Sequence, residues 1–153
     1  MNMAKKYLTK EGLEKLNKEL DHLKNVARKE VAIKLKEAIS QGDLKENAGY
    51  DSAKDEQGFI EARIRELKGI IGQAEVVEKK ESNKVEICSC VSLSSASGED
   101  KFQIVGPEEA DIMENKISFN SPLGAALLNK KKGDIVKINA PNGKIEYKIL
   151  NIE

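Results

Sequence analysis

A short acidic stretch holds the residues of this 153-residue chain best suited to metal or water chemistry. Asp43 and Glu46 stand three positions apart, so both carboxylates can lie on one side of a helical turn. Two converging carboxylates can bind a hard cation such as Mg²⁺ or orient a water molecule. The acidic residues between positions 43 and 56 outnumber the lysines; they are Asp43, Glu46, Asp51, Asp55 and Glu56, against Lys45 and Lys54. The stretch therefore predicts an acidic surface that can provide part of a Mg²⁺ site.

The pair does not make a complete metal site, because Mg²⁺ prefers six oxygen ligands and no further carboxylate is clearly positioned. A hydrolase acting alone would also need a pocket that excludes water and a group that stabilises an oxyanion. Two interpretations stay open from the residues alone. In one, Asp43 or Asn47 caps a helix and Glu46 lies in its first turn. In the other, the carboxylates complete the metal centre of another protein.

The sequence around this stretch predicts two long helices. Thr9 is a plausible N-cap for the first helix, and Gly42 is a natural terminator. The seam of the first helix comprises Leu13, Leu16, Leu20, Leu23, Ala27 and, after a stutter of four, Val31, Leu35 and Ala38. The seam of the second helix comprises Ala53, Gln57, Ile60, Ile64, Leu67, Ile71 and Ala74. Both seams are narrow, which is typical of coiled coils. A helix of ~30 residues reaches roughly 45 Å, so we expect an antiparallel hairpin with the acidic stretch at its projecting tip.

The second half predicts a small domain of strands with one helix, which makes the fold class α+β. Residues 85–93 and 102–104 alternate between apolar and polar, as half-buried strands do. Ser121 can cap a helix whose first position is Pro122, ending near Asn129. Asn142-Gly143 between two apolar runs predicts a β-hairpin. We place the two domains at residues 1–79 and 80–153, with a linker over residues 78–84.

Composition excludes several classes of function. Lysine plus arginine and aspartate plus glutamate each number 26, so a nonspecific nucleic-acid binder held by bulk positive charge is not expected. Three tyrosines and three phenylalanines are too few for a single-strand binder that stacks successive bases. Cys88, Cys90 and His22 do not supply four zinc ligands, and we expect two reduced structural thiols. No secretory signal or membrane span is predicted, which favours a cytoplasmic location.

Three stretches of the chain resemble the bacterial transcript-cleavage factors of the GreA/GreB family. They extend over nearly the full length in family order, and the second, at the tip, is specific because inhibitory relatives vary there. The stretches are Leu8 to Leu16 with Glu19-Leu20; Gly42 to Ala48 with Tyr50, Ala53 and Gln57-Gly58-Phe59; and Ile104-Val105-Gly106, Glu109-Ala110-Asp111, Ile117-Ser118, Asn120-Ser121-Pro122 and Gly133-Asp134. A chance match at all three places is not credible.

The resemblance implies a coiled coil that enters the secondary channel of bacterial RNA polymerase and an FKBP-like domain that docks at the channel rim. Asp43 and Glu46 would help to hold a second Mg²⁺ in the polymerase active site and position the attacking water. Lys54 stands where the family carries a basic residue near the RNA 3′ end of backtracked complexes. Asn120, Ser121 and Pro122 match the loop that contacts the polymerase. The resemblance implies no cofactor of the chain's own, no small-molecule substrate and no membrane partner; the polymerase cuts the transcript.

Some residues depart from the family pattern, and alternatives stay open. Gly49 stands where the family usually has Glu, Asp51 where it often has His, and Ile39 where relatives often carry Arg. These departures weaken the expected basic strip near the tip but leave the two tip acids in place. The first alternative is an inhibitory channel binder of the same fold, and the second is an FKBP-like peptidyl-prolyl isomerase or chaperone. A third is a plain coiled-coil scaffold, whose tip would tolerate substitution.

Overall fold

The structure is a computed structural model that describes residues 5–78 and 82–153. The chain forms two compact units. The helical unit runs from Leu13 to Ala74, and the sheet unit combines the described residues up to Gly12 with those from Glu75 onward. The predicted domain boundary between residues 79 and 80 lies outside the described residues and stays a prediction, as does the middle of the predicted linker.

The helical unit is an antiparallel hairpin, as its two apolar seams predicted. The first arm contains α1 (Lys10–His22), a π-helical segment (Leu23–Ala27) and α2 (Arg28–Ser40). The second arm is α3 (Ala48–Gly72). The buried centre between the arms consists of seam residues, namely Val31, Ala53, Ile60 and Ile64, with Leu20, Leu23, Ala27 and Leu35 packed against them. The seam thus identifies the face that each helix buries.

The π-helical segment lies beside the stutter in the first seam. Up to Ala27 the apolar residues step by three and four, and the next steps, to Val31 and Leu35, are both four. An α-helix that keeps its usual winding would rotate these residues away from the partner helix. A π-helical turn holds more residues per turn than an α-helical one, so it corrects the phase. Val31 is consequently buried, at 1 % exposure.

Ion pairs connect the two arms along both sides of the seam. Arg28 binds Glu61 through two hydrogen bonds of 2.8 and 3.0 Å, and Lys34 lies 3.0 Å from Glu56. Arg63 binds Glu19 in the same bidentate way, and its hydrogen bonds lower the pKa of the Glu19 carboxyl. Solvent screens exposed ion pairs, so these pairs add little to stability and mainly fix the register of the hairpin.

The sheet unit contains two small strands and a five-stranded sheet. Strands β1 (Lys6–Leu8) and β2 (Ala74–Val76) pair with each other. The larger sheet has the order β5-β4-β3-β7-β6, in which only β4 and β5 of these neighbouring pairs are parallel. Its strands are β3 (Cys90–Ser95), β4 (Gly98–Val105), β5 (Lys116–Ser118), β6 (Ile135–Ala140) and β7 (Gly143–Ile152), with helix α4 (Pro122–Leu127) after β5.

The core of the sheet unit includes most of the apolar residues that the alternating pattern selected. Its buried members are Val85, Val91, Leu93, Ile104, Phe119, Leu127, Val136 and Ile149. The hairpin of β6 and β7 reverses at Pro141-Asn142, and Gly143 has a φ of +125° that favours glycine. The α+β fold with a helical hairpin and a small sheet domain is therefore confirmed.

Two local predictions about the elements were wrong, and the structure differs from the sequence analysis at two further places. Residues 85–93 do not form one strand, because Cys88 has a φ of +78° and the chain turns there before β3 begins. Ala74 does not continue the second helical seam; α3 ends at Gly72 and Ala74 begins β2. The strand at Lys6–Leu8 was not predicted, and α4 ends at Leu127, two residues early. Short strands of three residues carry too little alternation to be recognised in a sequence.

The first residues of α1, up to Gly12, belong to the sheet unit and are held by side chains of that same unit. Thr9 caps the helix as predicted, because its hydroxyl accepts a hydrogen bond from the Gly12 N–H at 3.0 Å. The Glu109 carboxylate accepts the Thr9 N–H at 2.7 Å and also the Thr9 hydroxyl. A Cβ atom at Gly12 would collide with the Glu109 carboxylate. Glycine at position 12 therefore makes room for the carboxylate at the helix N-terminus, where negative charge is favourable.

Candidate functional site

The backbone reverses direction at the tip of the hairpin within a few residues. Helix α2 ends at Ser40, and the following Gln41 donates its N–H to the Ala38 carbonyl at 3.2 Å. Gly42 has a φ of +124°, a conformation in which other residues are strained. This glycine turns the chain out of the helix, as the sequence predicted, and directs it into the acidic stretch.

Asp43 and Glu46 lie at the two ends of one short turn. Asp43 caps a 3-10 helical turn, Leu44–Glu46, by accepting the Lys45 N–H on Oδ1 at 2.9 Å. Asp43, with φ −60° and ψ 119°, precedes the helical turn as its capping residue, and Glu46 is the last residue of the turn. That both carboxylates share one side, as their spacing suggests, stays a prediction.

Asn47, not Asp43, caps α3. Its Oδ1 accepts the Tyr50 N–H at 3.1 Å. The prediction that Glu46 lies in the first turn of that helix was wrong. Asn47 is extended, with φ −109° and ψ 95°, so it separates the 3-10 turn from α3. The carboxylate of Glu46 is therefore held on a turn of its own, outside the helix.

Both tip acids are exposed to solvent. Glu46 has no hydrogen bond or ion pair within residues 5–78 and 82–153, and Asp43 uses one oxygen in its own cap. Over the same residues, no three His, Cys, Asp or Glu side chains come together in a way that could hold a metal ion. The tip can therefore offer two carboxylates to a cation, and the remaining ligands would have to come from elsewhere.

The other acids of the stretch have different surroundings. Glu56 is paired with Lys34 across the hairpin at 3.0 Å. Asp51 lies in the first turn of α3, where its charge favours the helix N-terminus, and Asp55 is exposed one turn further along. Of the five acids that the sequence singled out, Asp43 and Glu46 are thus the two on the turn itself.

Lys54 and the departures from the family pattern lie on the same part of the hairpin. Lys54 is exposed, and its Nζ donates to Gln57 Oε1 at 3.3 Å, a weak bond that leaves the ammonium available. Gly49 is in the first turn of α3, where an added Cβ would have only ordinary contacts, the nearest at 3.4 Å from Asn47 Oδ1. Ile39 is 53 % exposed. A basic side chain is thus accessible at position 54, while position 39 offers an apolar surface.

The predicted docking residues surround the start of α4 in the sheet unit. Ser121 caps α4 by accepting the Gly124 N–H at 3.1 Å, and its hydroxyl donates to the Ser118 carbonyl at 2.6 Å. Pro122 is the first residue of the helix, as predicted. Asn120 is exposed, and its backbone N–H binds Ser118 Oγ. Capping therefore engages Ser121, while the side chains of Asn120 and Pro122 face solvent.

The buried cysteine, Cys88, does not suggest redox or nucleophilic chemistry. Both are free thiols, and Cys88 is buried with its Sγ 3.5 Å from the Val77 carbonyl oxygen. Burial, followed by the nearby charges of Glu109 and Glu11, raises the pKa of the Cys88 thiol to about 11. Because the thiolate is the reactive form, Cys88 is protonated and inert at neutral pH.

Sequence reasoning missed one functional-site contact. The Asn47 side-chain amide donates from Nδ2 to the Ala38 carbonyl at 2.6 Å, across the loop that carries the acids. The capping half of this residue was foreseen from its type and position. The hydrogen bond from its amide nitrogen was not predicted, because the acceptor is a backbone carbonyl, which a residue of any type provides.

No helix in the described parts of the chain is both long enough and apolar enough to cross a membrane.

Known proteins resemble this chain over nearly its whole length. The family model described as "Transcription elongation factor, N-terminal" matches residues 6–76, and the one described as "Transcription elongation factor, GreA/GreB, C-term" matches residues 79–153. The chain is 50% identical over 149 residues to a protein of Thermosipho melanesiensis named "Transcription elongation factor GreA", covering 96% of each chain. It is 45% identical over 157 residues to a Clostridium botulinum protein of the same name, covering 99% of this chain and 98% of that one.

Two solved structures match this chain at lower identity. The "GreA factor homolog 1 (Gfh1) protein of Thermus thermophilus" is 31% identical, and the match covers 97% of this chain and 99% of that one with a TM-score of 0.46. A structure titled "Prokaryotic transcription elongation factor GreA/GreB from Nitrosomonas europaea" is 22% identical, with 97% and 98% coverage and a TM-score of 0.42.

Proposed function

Because the chain belongs to the GreA/GreB family of transcription elongation factors, we propose that it acts on bacterial RNA polymerase and stimulates the polymerase's own cleavage of backtracked RNA. The helical hairpin enters the secondary channel, and the sheet unit docks at the channel rim. Cleavage creates a new RNA 3′ end in the active site and rescues the arrested complex. This activity belongs in the cytoplasm, where transcription takes place in bacteria.

The observation that carries the proposal is the exposed pair Asp43 and Glu46 on a separate turn at the end of the hairpin. Two carboxylates with no third ligand among residues 5–78 and 82–153 suit a shared site better than an independent one. In a two-metal reaction, one ion stabilises the attacking oxygen and the other the leaving oxygen. The tip acids support the weakly held second Mg²⁺ of the polymerase and orient the attacking water, so the chain is not an enzyme by itself.

Three further roles belong to the same proposal. Lys54 is exposed on α3, one turn beyond the residues that begin the helix, and its ammonium can contact a phosphate near the RNA 3′ end. Asn120 and Pro122 present exposed side chains to the polymerase rim. Ser121 contributes by fixing the loop through its two hydrogen bonds.

Transcript cleavage on a stalled, backtracked bacterial elongation complex tests the proposal. RNA labelled at its 3′ end is incubated with the wild-type chain, Asp43→Asn or Glu46→Gln. We expect short labelled fragments with the wild type, and a loss on the order of a hundredfold or more in the rate with each variant. Binding to polymerase should persist in both variants, because neither side chain makes a contact within the hairpin beyond the Asp43 cap.

Asp55→Asn is the matched control, because it removes the same charge from an exposed position on α3. With this variant, the polymerase should cleave the RNA at the wild-type rate. If Asp55→Asn were as defective as Asp43→Asn, the effect would be one of general tip charge and not of a metal site. Tight binding by the wild type without any fragments would overturn the proposal and favour the inhibitory alternative.

A further inference from the structure

Asn47 makes two side-chain hydrogen bonds that point in opposite directions along the chain. Its Oδ1 accepts the Tyr50 N–H in the first turn of α3, at 3.1 Å. Its Nδ2 donates to the Ala38 carbonyl in the last turn of α2, at 2.6 Å. An amide side chain has one acceptor end and one donor end, and both bonds together fix which end faces which helix. The residue thereby connects the two helices at the point where they enter the tip.

The loop that these bonds close contains both tip acids. The bond from Asn47 to Ala38 spans nine positions, whereas the other loop bonds described above span two or three. Ala38 is 6 % exposed in the seam between the helices, so its carbonyl is held by the packed part of the hairpin. The closure therefore transfers the rigidity of the packed helices to a loop that is otherwise exposed.

The acids themselves do little to fix their own position. Glu46 has no partner within residues 5–78 and 82–153, and Asp43 is held only through Lys45 of the same turn. Their direction must come from the backbone of the 3-10 turn, which lies between Gly42 and Asn47. Glycine permits many backbone conformations, so Gly42 does not restrict the loop. The side chain of Asn47 restricts it through its two hydrogen bonds.

We propose that Asn47 is a positioning residue that sets the direction in which Asp43 and Glu46 are presented to Mg²⁺ and water in the polymerase. This inference rests on the proposed function. A misplacement of about 1 Å can lower the rate of an enzymatic reaction on the order of a hundredfold. Loss of the hydrogen bond from Asn47 to Ala38 should therefore slow cleavage and raise the Mg²⁺ concentration that cleavage requires. Binding to polymerase should not weaken.

Two variants separate the closure from the cap. Asn47→Asp keeps the size and the capping oxygen, but it replaces the donor to the Ala38 carbonyl by a second oxygen. Asn47→Ser keeps a capping oxygen without adding charge, and its side chain is too short to reach across the loop. Ser40→Ala is the matched control, because it removes a 2.6 Å bond to the Glu37 carbonyl in the same turn of α2 without opening the loop.

The experiment measures three quantities for the wild type and the three variants. They are the affinity for a backtracked elongation complex, the cleavage rate over a series of Mg²⁺ concentrations, and the hydrogen exchange of the Lys45 amide in the free chain. We expect both Asn47 variants to bind within about twofold of the wild type. With either variant, cleavage at limiting Mg²⁺ should be slower by on the order of tenfold to a hundredfold. The Lys45 amide hydrogen of either free variant should exchange faster than in the wild type. Ser40→Ala should match the wild type in all three.

Two outcomes would contradict the inference, and they differ from failure of the proposed function. Wild-type cleavage by Asn47→Ser at every Mg²⁺ concentration would show that the closure is not needed. A uniform loss of rate that Mg²⁺ does not alter, with unchanged Lys45 exchange, would show that the tip is positioned by other means. If the wild type itself bound and gave no fragments, the proposed function would fall, and this inference with it.

Discussion

At the level of single residues, the two glycines of the tip have opposite backbone requirements. Gly49 is helical, and a Cβ atom there would make ordinary contacts with Asn47 and Ala38. We therefore expect Gly49→Ala to raise the free energy of unfolding by about 0.5–1 kcal/mol, because alanine loses less conformational freedom in a helix. Gly42→Ala should lower it by about 1–3 kcal/mol, because the φ of +124° strains any residue with a Cβ.

Urea unfolding followed by circular dichroism measures both effects. Gly58, which lies within α3 and has open space around it, provides a reference for the effect of alanine in the helix. Gly58→Ala should stabilise the chain about as much as Gly49→Ala. A destabilised Gly49→Ala beside a stabilised Gly58→Ala would mean that the tip, and not helix propensity, requires glycine at position 49.

The buried thiol gives a second prediction at this scale. Because the pKa of Cys88 is raised to about 11, raising the pH from 7 to 8 leaves it protonated. An ordinary thiol, with a pKa of about 8.5, gains thiolate over the same interval. We expect Cys88 in the folded chain to react with a thiol reagent at least tenfold more slowly than in the urea-unfolded chain. Cys90→Ser isolates the reaction of Cys88, and rapid labelling of this folded variant would contradict its burial.

Residue types predicted the local part of the site and missed the part that crosses the loop. The caps at Thr9 and Ser121 follow from a hydroxyl that binds a nearby N–H, and the structure contains both. The sequence did not show that the 3-10 turn with the acids is separate from α3. The two are divided by the extended backbone of Asn47, which the residue type does not reveal. The bond from Asn47 to Ala38 leaves no trace in the sequence, since any residue at position 38 offers a carbonyl.

At the level of elements, the first turn of α1 depends on one carboxylate of the sheet unit. A methyl group at Gly12 would displace Glu109 from the Thr9 N–H and hydroxyl. Each hydrogen bond to a charged group stabilises the fold by about 1.5–3 kcal/mol. Alanine stabilises a helix by about 1 kcal/mol relative to glycine, which offsets part of that loss. We expect Gly12→Ala to destabilise the chain by about 1–2 kcal/mol in the presence of Glu109.

A double-mutant cycle with Glu109→Ala measures that coupling by urea unfolding. Without the carboxylate, the collision at position 12 disappears, so Gly12→Ala should become neutral or stabilising. The change of sign identifies the contact and excludes a general intolerance of α1 to substitution. Equal effects of Gly12→Ala in both backgrounds would refute the proposed contact.

The long elements were predictable because their signal repeats many times. Eight apolar positions recur along the first arm and five along α3. Even the stutter near Ala27 corresponds to a real feature, the π-helical segment. The strand pair β1 and β2 was missed because three residues give almost no periodicity. The break at Cys88 was missed because a positive φ in a residue other than glycine is uncommon and no turn-forming residue announces it.

At the level of the whole molecule, the proposed tasks fall on different units. The acids proposed to support cleavage lie in the unit from Leu13 to Ala74, and the proposed docking residues lie in the sheet unit. Each unit has its own buried core, so a surface substitution in one should leave the other folded. Changes in attachment and changes in chemistry should therefore be separable by kinetics.

Asn120→Ala tests this separation, because the Asn120 side chain is exposed and its backbone, not its side chain, makes the local hydrogen bond. We expect it to raise the factor concentration needed for half-maximal cleavage about fivefold or more, a loss of about 1 kcal/mol in binding. The maximal rate at saturating factor should stay at the wild-type value. Asp43→Asn should behave in the opposite way, with the half-maximal concentration unchanged and the maximal rate lost at any concentration.

Titration of factor against a fixed amount of backtracked complex measures both parameters in one experiment. Asn151→Ala is the matched control, because Asn151 is also exposed in the sheet unit but lies on β7, paired with Ser92 in the middle of the sheet. It should leave both parameters unchanged. A lower maximal rate with Asn120→Ala would mean that the rim contact also sets the position of the tip, because a factor that only attaches less tightly is fully restored by mass action. Attachment and chemistry would then be coupled through the chain, and the division between the units would not hold.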